Sequence, residues 1–580
     1  MTIRFPDVFQ IANSFSRNLN GNSDMNYSYL FLLILFAACS NGRQETATPE
    51  SKNSRPNILY IMLDDLGFSD LACFGSEIAT PNIDALAARG QRFAGFRTAP
   101  MCGPTRAMMI SGNSNHVEGM GRMMNTQEKN ARYMGMKGYE EDITDRIVAF
   151  PTLLQQAGYF TAVTGKWHLG WEESSKPANH GFDRSWVLRN AAANHYIRKN
   201  YGISHPDRRD TVSIYYSNGK EVAYPEGTYS SEWYTDQMLE FLKEAERLND
   251  DQPFFAFLSF TSPHWPLQVP EAYWDKYRGK YNDGYQALME RRVQGLKENG
   301  IISADIELPP YPDLENWDNL SEEEQQYAAR KMEIFAGMVE NADYHIGRLI
   351  QYLQESGEYD NTIIVLHSDN GAAAEDLSLH PAFREKINTW NDNSYENMNQ
   401  TNSFIALGEH WAQACAAPFR KYKQQMYEGG MASPCIIAGK GIPASTTVRR
   451  EFFTIQDIAP TFLEIAGTSY PKEWQGKEIE PQRGTSILSY VQERASKVHE
   501  DDFIFAMEHR RTAFLRKGHW KIANQQDAAN NDLFELYNLQ EDFSEQRDLS
   551  SEQTEVFEDL LAEWEQYKKE VGVVFLEKLD

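Results

Sequence analysis

Four short segments of this 580-residue chain concentrate side chains that hold cations or move protons. Asp64 and Asp65 stand in DDLG, Lys166 and His168 in GKWHLG, His264 in SPHWP, and Asp369 and Asn370 in SDNG. Asp64, Asp65, Asp369 and Asn370 together offer three carboxylates and one amide oxygen, a hard donor set that suits Ca²⁺ or Mg²⁺ rather than zinc. Calcium is expected ahead of magnesium. Lys166 and His168 are two residues apart, so an extended chain projects both from one face. Each cluster alone has an ordinary reading, since an Asp-Asp-x-Gly turn is usually a solvated loop and a lone His after a strand is usually structural. Their joint occurrence is what points to chemistry.

The elements that must position these residues are legible in the same stretches. Each cluster follows a short apolar run: Asn57–Leu63 (NILYIML), Phe160–Val163, Phe254–Phe260 (FFAFLSF) and Thr362–Leu366. Apolar runs without strict alternation suit strands covered on both faces, as in a parallel sheet. Between them lie helical patterns. Asn82–Ala88 and Thr152–Ala157 are each followed by a glycine, and Ser321–Ser356 carries Phe335, Met338, Ala342, Ile346, Leu349 and Leu353 in one stripe. Strands alternating with helices imply a wound α/β sheet, which binds ligands beyond the carboxyl ends of its strands. The four clusters would then meet at one edge. After about residue 490 the pattern changes: Thr512–Leu515, Trp520–Ala523 and Leu533–Tyr537 suggest a small antiparallel sheet, closed by a helix at Glu552–Lys569.

Composition narrows the class further. With 41% hydrophobic and 24% charged residues the chain is neither collagen-like, mostly disordered nor a multi-span membrane protein. Its 56 basic and 83 acidic residues leave a net charge of −27, which repels nucleic acid and any small anionic substrate. An enzyme for anions therefore needs a local cationic pocket.

Near the N-terminus, Tyr27–Ala38 (YSYLFLLILFAA) is too short to span a bilayer but has the length of a signal-peptide core. FAAC, ending at Cys39, resembles the lipobox of bacterial lipoproteins, and residues 40–55 read as a polar linker. The expectation is an export segment over 1–39, with translation starting at Met1 or Met25, and a periplasmic or membrane-anchored lipoprotein. The remaining cysteines, Cys73, Cys102, Cys415 and Cys435, lack zinc spacing. A Cys415–Cys435 bridge is left open, although both suit small buried hydrophobes.

The fifth cluster is PMCGPTR, Pro100–Arg106, running into AMMISG. Pro104 is tolerated in a first helical turn, so Cys102 is expected at a helix N-terminus with Arg106 one turn later on the same face. Cys-x-Pro-Thr-Arg with a downstream glycine resembles the signature of the type I sulfatases, in which that cysteine is oxidised to formylglycine. DDLG, TPNID (80–84), GKWHLG, SPHW, SDNG and PFRKYKQQMYEGG (418–430) extend the resemblance over Asn57–Phe575, closest to the bacterial arylsulfatases. Thr105 and Ser111 depart mildly from the family pattern, each keeping a hydroxyl.

This resemblance implies an alkaline-phosphatase-like wound, mixed or mostly parallel sheet flanked by helices over 56–490, and a smaller C-terminal domain of antiparallel sheet plus helix over 491–580. It implies a sulfuric ester hydrolase acting on aryl or related organic sulfates, matured by a formylglycine-generating enzyme. Formylglycine 102 would be the nucleophile, held with one divalent metal by Asp64, Asp65, Asp369 and Asn370, with Asp369 the nearby base. Arg106, Lys166 and Lys423 would neutralise sulfate, His264 with Lys423 would assist the leaving oxygen, and His168 would take the proton that expels sulfate. A phosphodiesterase or phosphonate monoester hydrolase of the same superfamily, and a non-catalytic lipoprotein binding sulfated glycans, are the alternatives. His195 and the segment Ala372–Pro418 are candidates to line or cover the substrate mouth. Trp265 is expected to pack and Glu428 to fix its loop, while His116 has no assigned role.

Overall fold

Strand β1 (Asn57–Leu63) is buried along its whole length because both of its faces are covered. Leu59, Ile61 and Leu63 point into one apolar core, whereas Ile58 and Tyr60 and Met62 point into a second on the other side of the sheet. Full burial of a side chain of this size contributes roughly 1.5–3 kcal/mol. That is why the run needs no polar alternation.

The computed structural model describes residues 55–577, apart from 124–131, 134, 198–212, 250, 309–310, 312–313 and 382. The export run Tyr27–Ala38, Cys39 and the linker up to residue 54 lie outside the described residues. Among the described residues no helix is long and apolar enough to cross a membrane.

The main sheet has nine strands. They are β1, β2 (Gln91–Phe93), β3 (Phe160–Lys166), β4 (Arg184–Leu188), β5 (Tyr215–Ser217), β6 (Lys220–Val222), β7 (Phe254–Ser259), β8 (Thr362–Ser368) and β9 (Cys435–Gly439). Their order is β2-β9-β8-β1-β7-β3-β4-β5-β6. The central run β8-β1-β7-β3-β4 is parallel. The edges, β9 on β8, β2 on β9, β5 on β4 and β6 on β5, are antiparallel. The sheet is therefore mixed.

Helices cover both faces. α1 (Pro81–Arg89), α3 (Ser230–Leu248) and α4 (Glu322–Glu355) lie on one side, and α2 (Cys102–Ser111) packs on the other. All six residues of the stripe expected on α4 are buried, and Ser321 with Glu324 forms a reciprocal capping box at its start. Beyond the main sheet, β10 (Ile504–His509), β11 (Thr512–Lys517), β12 (Trp520–Asn524) and β13 (Glu535–Asn538) form the C-terminal antiparallel sheet. Helix α5 (Thr554–Val571) buries Leu560, Trp564 and Tyr567 against Leu515, Ile522 and Leu536.

A buried charge network ties this sheet to the main body. Lys521 of β12 reaches Glu428 at 2.9 Å and Glu545 at 2.7 Å, and Glu428 also pairs with Arg97 at 2.5 Å. Glu428 thus fixes its loop, as its position in the EGG turn suggests. The segment Ala372–Pro418 is not structureless: it contains helices at Arg384–Trp390 and Glu409–Cys415. Cys73, Cys102, Cys415 and Cys435 are all free thiols, so no bridge joins Cys415 to Cys435.

Candidate active site

Four neighbouring parallel strands, β8, β1, β7 and β3, release the polar clusters at their carboxyl ends. Leu63 pairs with Ser368 and Met62 with Ser259, so Asp64-Asp65 and Asp369-Asn370 leave the sheet side by side with the His264 segment next to them. Lys166 closes β3, and the residue before it must be glycine. Gly165 has φ 99°, and a Cβ there would stand 1.7 Å from the carbonyl oxygen of Ser259.

The carboxylates and cations interlock. Lys166 Nζ donates to both oxygens of Asp64 at 2.8 and 2.7 Å. Lys423 Nζ contacts Asp65 Oδ1 at 2.9 Å and Oδ2 at 3.0 Å, and Glu375 lies 3.5 Å from the same ammonium. Arg106 donates to Asp369 Oδ2 through Nη2 at 2.8 Å, and through Nη1 to Ser259 Oγ at 2.6 Å and the Lys166 carbonyl at 2.9 Å. Asn370 Nδ2 donates to Asp65 Oδ1 at 2.7 Å, and the Asp65 amide donates to Asp369 Oδ1 at 3.3 Å. Every one of these side chains except Glu375 is buried.

Burial pushes the Asp64 carboxyl well above the usual carboxylate range; Lys166 opposes this, and Asp369 and Asp65 add to it. Burial works against the charge on Lys423, yet Asp65 and Glu375 hold its ammonium well above the ordinary lysine value. Lys166 is likewise held charged by Asp64 in spite of burial.

The same cluster fits the divalent metal that the resemblance implies. Asn370 Oδ1 is buried and has no hydrogen-bond partner, which leaves one hard acceptor unused. Asp64, Asp65 and His264 each offer a donor atom, and these atoms lie within 4.8 Å of one another. His264 therefore stands closer to a possible ion than its expected role in assisting the leaving oxygen suggests. Its Nδ1 contacts the Trp265 carbonyl at 2.7 Å, which turns Nε2 toward Asp65 Oδ2 at 3.4 Å.

Cys102 is the first residue of α2, where the free backbone N–H groups favour negative charge. Its Sγ lies 3.5 Å from His168 Nδ1. Sγ marks where the oxygens of a hydrated formylglycine would start. Burial pushes the unmodified thiol up, against the pull of Lys166 and Lys423. Burial first, then Lys166, Arg106 and Lys423, holds the His168 imidazole well below its usual range, and burial with Lys423 and Lys166 does the same to His264. Both imidazoles are neutral at pH 7 and able to accept a proton.

The structure brings Asp64, Asp65, Cys102, Arg106, Lys166, His168, His264, Asp369, Asn370 and Lys423 into one buried site. Other candidates fall elsewhere. His195 lies beneath His264, with Nδ1 on Ser230 Oγ at 2.7 Å and Nε2 on the His264 carbonyl at 3.1 Å, so it supports the site rather than lining a mouth. Trp265 is packed against Phe404. His116 Nε2 pairs with Glu508 at 3.0 Å, linking the loop after α2 to the C-terminal sheet. Ser259, which binds Arg106, and Glu375, which faces Lys423, escape a reading of the sequence: a serine closing an apolar strand and a glutamate in a long loop carry no spacing signal.

The chain matches the Sulfatase family model over residues 56–468, and a model described as N-sulphoglucosamine sulphohydrolase, C-terminal, over 419–570. It is 37% identical over 532 residues to an uncharacterized sulfatase of Schizosaccharomyces pombe, covering 90% of this chain and 95% of the relative. It is 35% identical over 438 residues to the arylsulfatase of Klebsiella aerogenes, covering 75% and 92% respectively. Among solved structures it superposes on Ps i-CgsB with a TM-score of 0.61 at 23% identity, covering 88% of this chain and 92% of that one. A structure solved with its substrate D-glucosamine-2-N,6-O-disulfate gives a TM-score of 0.56 at 20% identity, covering 89% and 98%. At these identities the structural matches speak for the fold.

Proposed function

Because this chain belongs to the sulfatase family, enzymes of the sulfuric ester hydrolase class, we propose that it cleaves aryl and related organic sulfate esters to a phenol or alcohol and inorganic sulfate. The observation that carries the reading is Cys102 at the N-terminus of α2, buried beside His168 and within the field of Lys166 and Lys423. The curated relative in K. aerogenes is named an arylsulfatase, which favours an aryl leaving group.

Formylglycine made from Cys102 supplies, once hydrated, a geminal diol as nucleophile. A divalent ion held by Asp64, Asp65, Asp369 and Asn370, with calcium favoured, supplies positive charge beside it.

The chain's own residues do the rest. Lys166 and Lys423 stay charged and offset the sulfate oxygens, supplying the cationic pocket that a net charge of −27 demands. Arg106 adds positive potential while its hydrogen bonds hold Asp369 in place as a base. Lys423 donates toward the leaving oxygen, while His264, neutral and with its one ring hydrogen on the Trp265 carbonyl through Nδ1, lies beside Asp65 with no proton on Nε2 to give. His168 Nδ1 is placed to take a proton from the group at position 102. The reading extends to export and lipid anchoring through Cys39, which the Tyr27–Ala38 run supports.

The test is hydrolysis of 4-nitrophenyl sulfate by protein made with a maturation enzyme, beside Cys102→Ala. Turnover that vanishes in the variant is expected. Full turnover in Cys102→Ala, or faster cleavage of a phosphate diester than of the sulfate by the same preparation, would contradict the reading.

A further inference from the structure

Glu375 stands in the loop that follows β8. Its Oε2 lies 3.5 Å from Lys423 Nζ and 3.5 Å from Trp265 Nε1, so one oxygen meets both the ammonium that serves the leaving oxygen and the indole next to His264. The side chain is 24% exposed, whereas Asp64, Asp65 and Asp369 are buried. Among the described residues Oε1 makes no hydrogen bond. One carboxylate oxygen is therefore fixed to the catalytic cluster and the other is left to meet a ligand.

Glu375 and Lys423 line one cleft of about 520 Å³, together with Tyr327, Lys331, Asp376 and Tyr422. That is room for the organic part of a small ester. Lys423, which also contacts Asp65 at 2.9 Å, is where the cleft joins the catalytic cluster.

Beyond Lys423 the lining turns acidic. Lys331 is answered by Asp376 at 3.4 Å, and His410 lies 3.3 Å from Glu315 and 3.8 Å from Glu409. Glu409 also accepts from the Tyr422 hydroxyl at 3.0 Å. Glu375, Asp376 and Glu409 thus share a single further ammonium, that of Lys331, whose Nζ already sits 5.3 Å from the Tyr327 ring centroid. The two parts of the site have opposite polarity: Arg106, Lys166 and Lys423 await an anion, and the cleft that leads from them is acidic with aromatic walls. Such a cleft attracts a cation and repels a second anion.

We propose that Glu375 is a specificity-determining residue that binds a positively charged group on the leaving-group part of the substrate and turns away esters that carry a second anion there. Rejection by like charge is as much a part of specificity as the favourable contact. The proposal rests on the sulfate-ester reading above and names the class of ester preferred by that same site: zwitterionic sulfates of amine-bearing phenols or alcohols.

The test uses 4-(2-aminoethyl)phenyl sulfate, phenyl sulfate and 4-sulfooxybenzoate with the mature wild type, Glu375→Gln and Glu375→Asp, following release of inorganic sulfate. The quantity read is kcat/KM for each charged ester divided by that for phenyl sulfate, compared between variant and wild type. The intrinsic reactivity of each ester cancels in that comparison, as does the fraction of protein folded and matured. Glu375→Gln is expected to lower the ratio for the ammonium ester and to raise that for the carboxylate ester, each about tenfold and mainly through KM, with Glu375→Asp in between. Ratios unchanged in Glu375→Gln overturn the proposal, because a carboxylate that only braced Lys423 would slow all three esters alike. If no ester turns over, the sulfatase reading fails on its own. Calorimetric binding of the same three ligands to Cys102→Ala, with and without Glu375→Gln, then decides for Glu375: a preference for the ammonium ester that the second substitution removes supports it, and an order of affinities that is the same in both backgrounds overturns it.

Discussion

His168 Nδ1 stands 3.5 Å from Cys102 Sγ, and His168 has left-handed backbone with φ 53°. A non-glycine residue in that region is uncommon and costs free energy, so the surrounding structure holds the imidazole against Cys102. Four cationic or basic neighbours, Lys166, Arg106, Lys423 and His264, add to burial in keeping the ring neutral and ready to accept a proton.

If His168 takes the proton that releases sulfate, His168→Ala should slow steady-state turnover of 4-nitrophenyl sulfate by about 10²–10⁴-fold. The first equivalent of nitrophenol should still appear, because the leaving oxygen is served by Lys423 and not by His168. Stopped-flow absorbance would show a burst followed by a stall. A variant within a few-fold of wild type at steady state would remove His168 from this step.

Divalent ions should stabilise the fold. Asp64, Asp65, Asp369 and Asn370 crowd three carboxylates and an unpartnered amide oxygen into one buried place. An ion bound only by the native state at a hundred times its Kd adds about 2.7 kcal/mol. Chelation is therefore expected to lower Tm, calcium to restore it at lower concentration than magnesium, and Asn370→Leu to blunt the response. Identical melting curves with chelator and with calcium would count against the site.

Glu118 makes a prediction independent of chemistry. Its carboxyl is fully buried, accepts from Ser111 Oγ and leaves Oε2 without a partner. Burial raises its pKa to about 8, against the hydrogen bond from Ser111 and the charge of Arg146. The folded value lies above the unfolded one of about 4.3, so the native state binds the extra proton between these limits and loses stability as pH rises through that window. Glu118→Gln removes the penalty. The variant should melt higher than wild type at pH 8, by an amount on the order of 2–4 kcal/mol in stability, and the gap should close near pH 5. A gap independent of pH would mean that the carboxyl is already ionised in the fold.

Much of this architecture was legible in the sequence because the parallel core strands carry no polar alternation. Asn57–Leu63 is observed over the residues that its apolar run marks, and the runs at 160, 254 and 362 begin where expected and extend by up to three residues or stop one short. The polar clusters at their ends met because neighbouring parallel strands share one carboxyl edge. The antiparallel edges were not legible: β2, β5 and β6 are three residues each, and β9 has only five, too few to show a period. Nor was the contribution of the C-terminal sheet. Lys521 of β12 reaches Glu428, 93 positions away in sequence, and a lone lysine in a short strand carries no spacing that marks it. His264 was read as assisting the leaving oxygen together with Lys423, whereas it also closes an Asp64-Asp65-His264 group, a proximity that only the fold reveals.

The most direct test of the central claim is mass spectrometry of the tryptic peptide Thr98–Arg106 from active protein. The account predicts a peptide lighter by the exchange of the Cys102 thiol for an aldehyde. An unmodified thiol in protein that still hydrolyses aryl sulfate would contradict it.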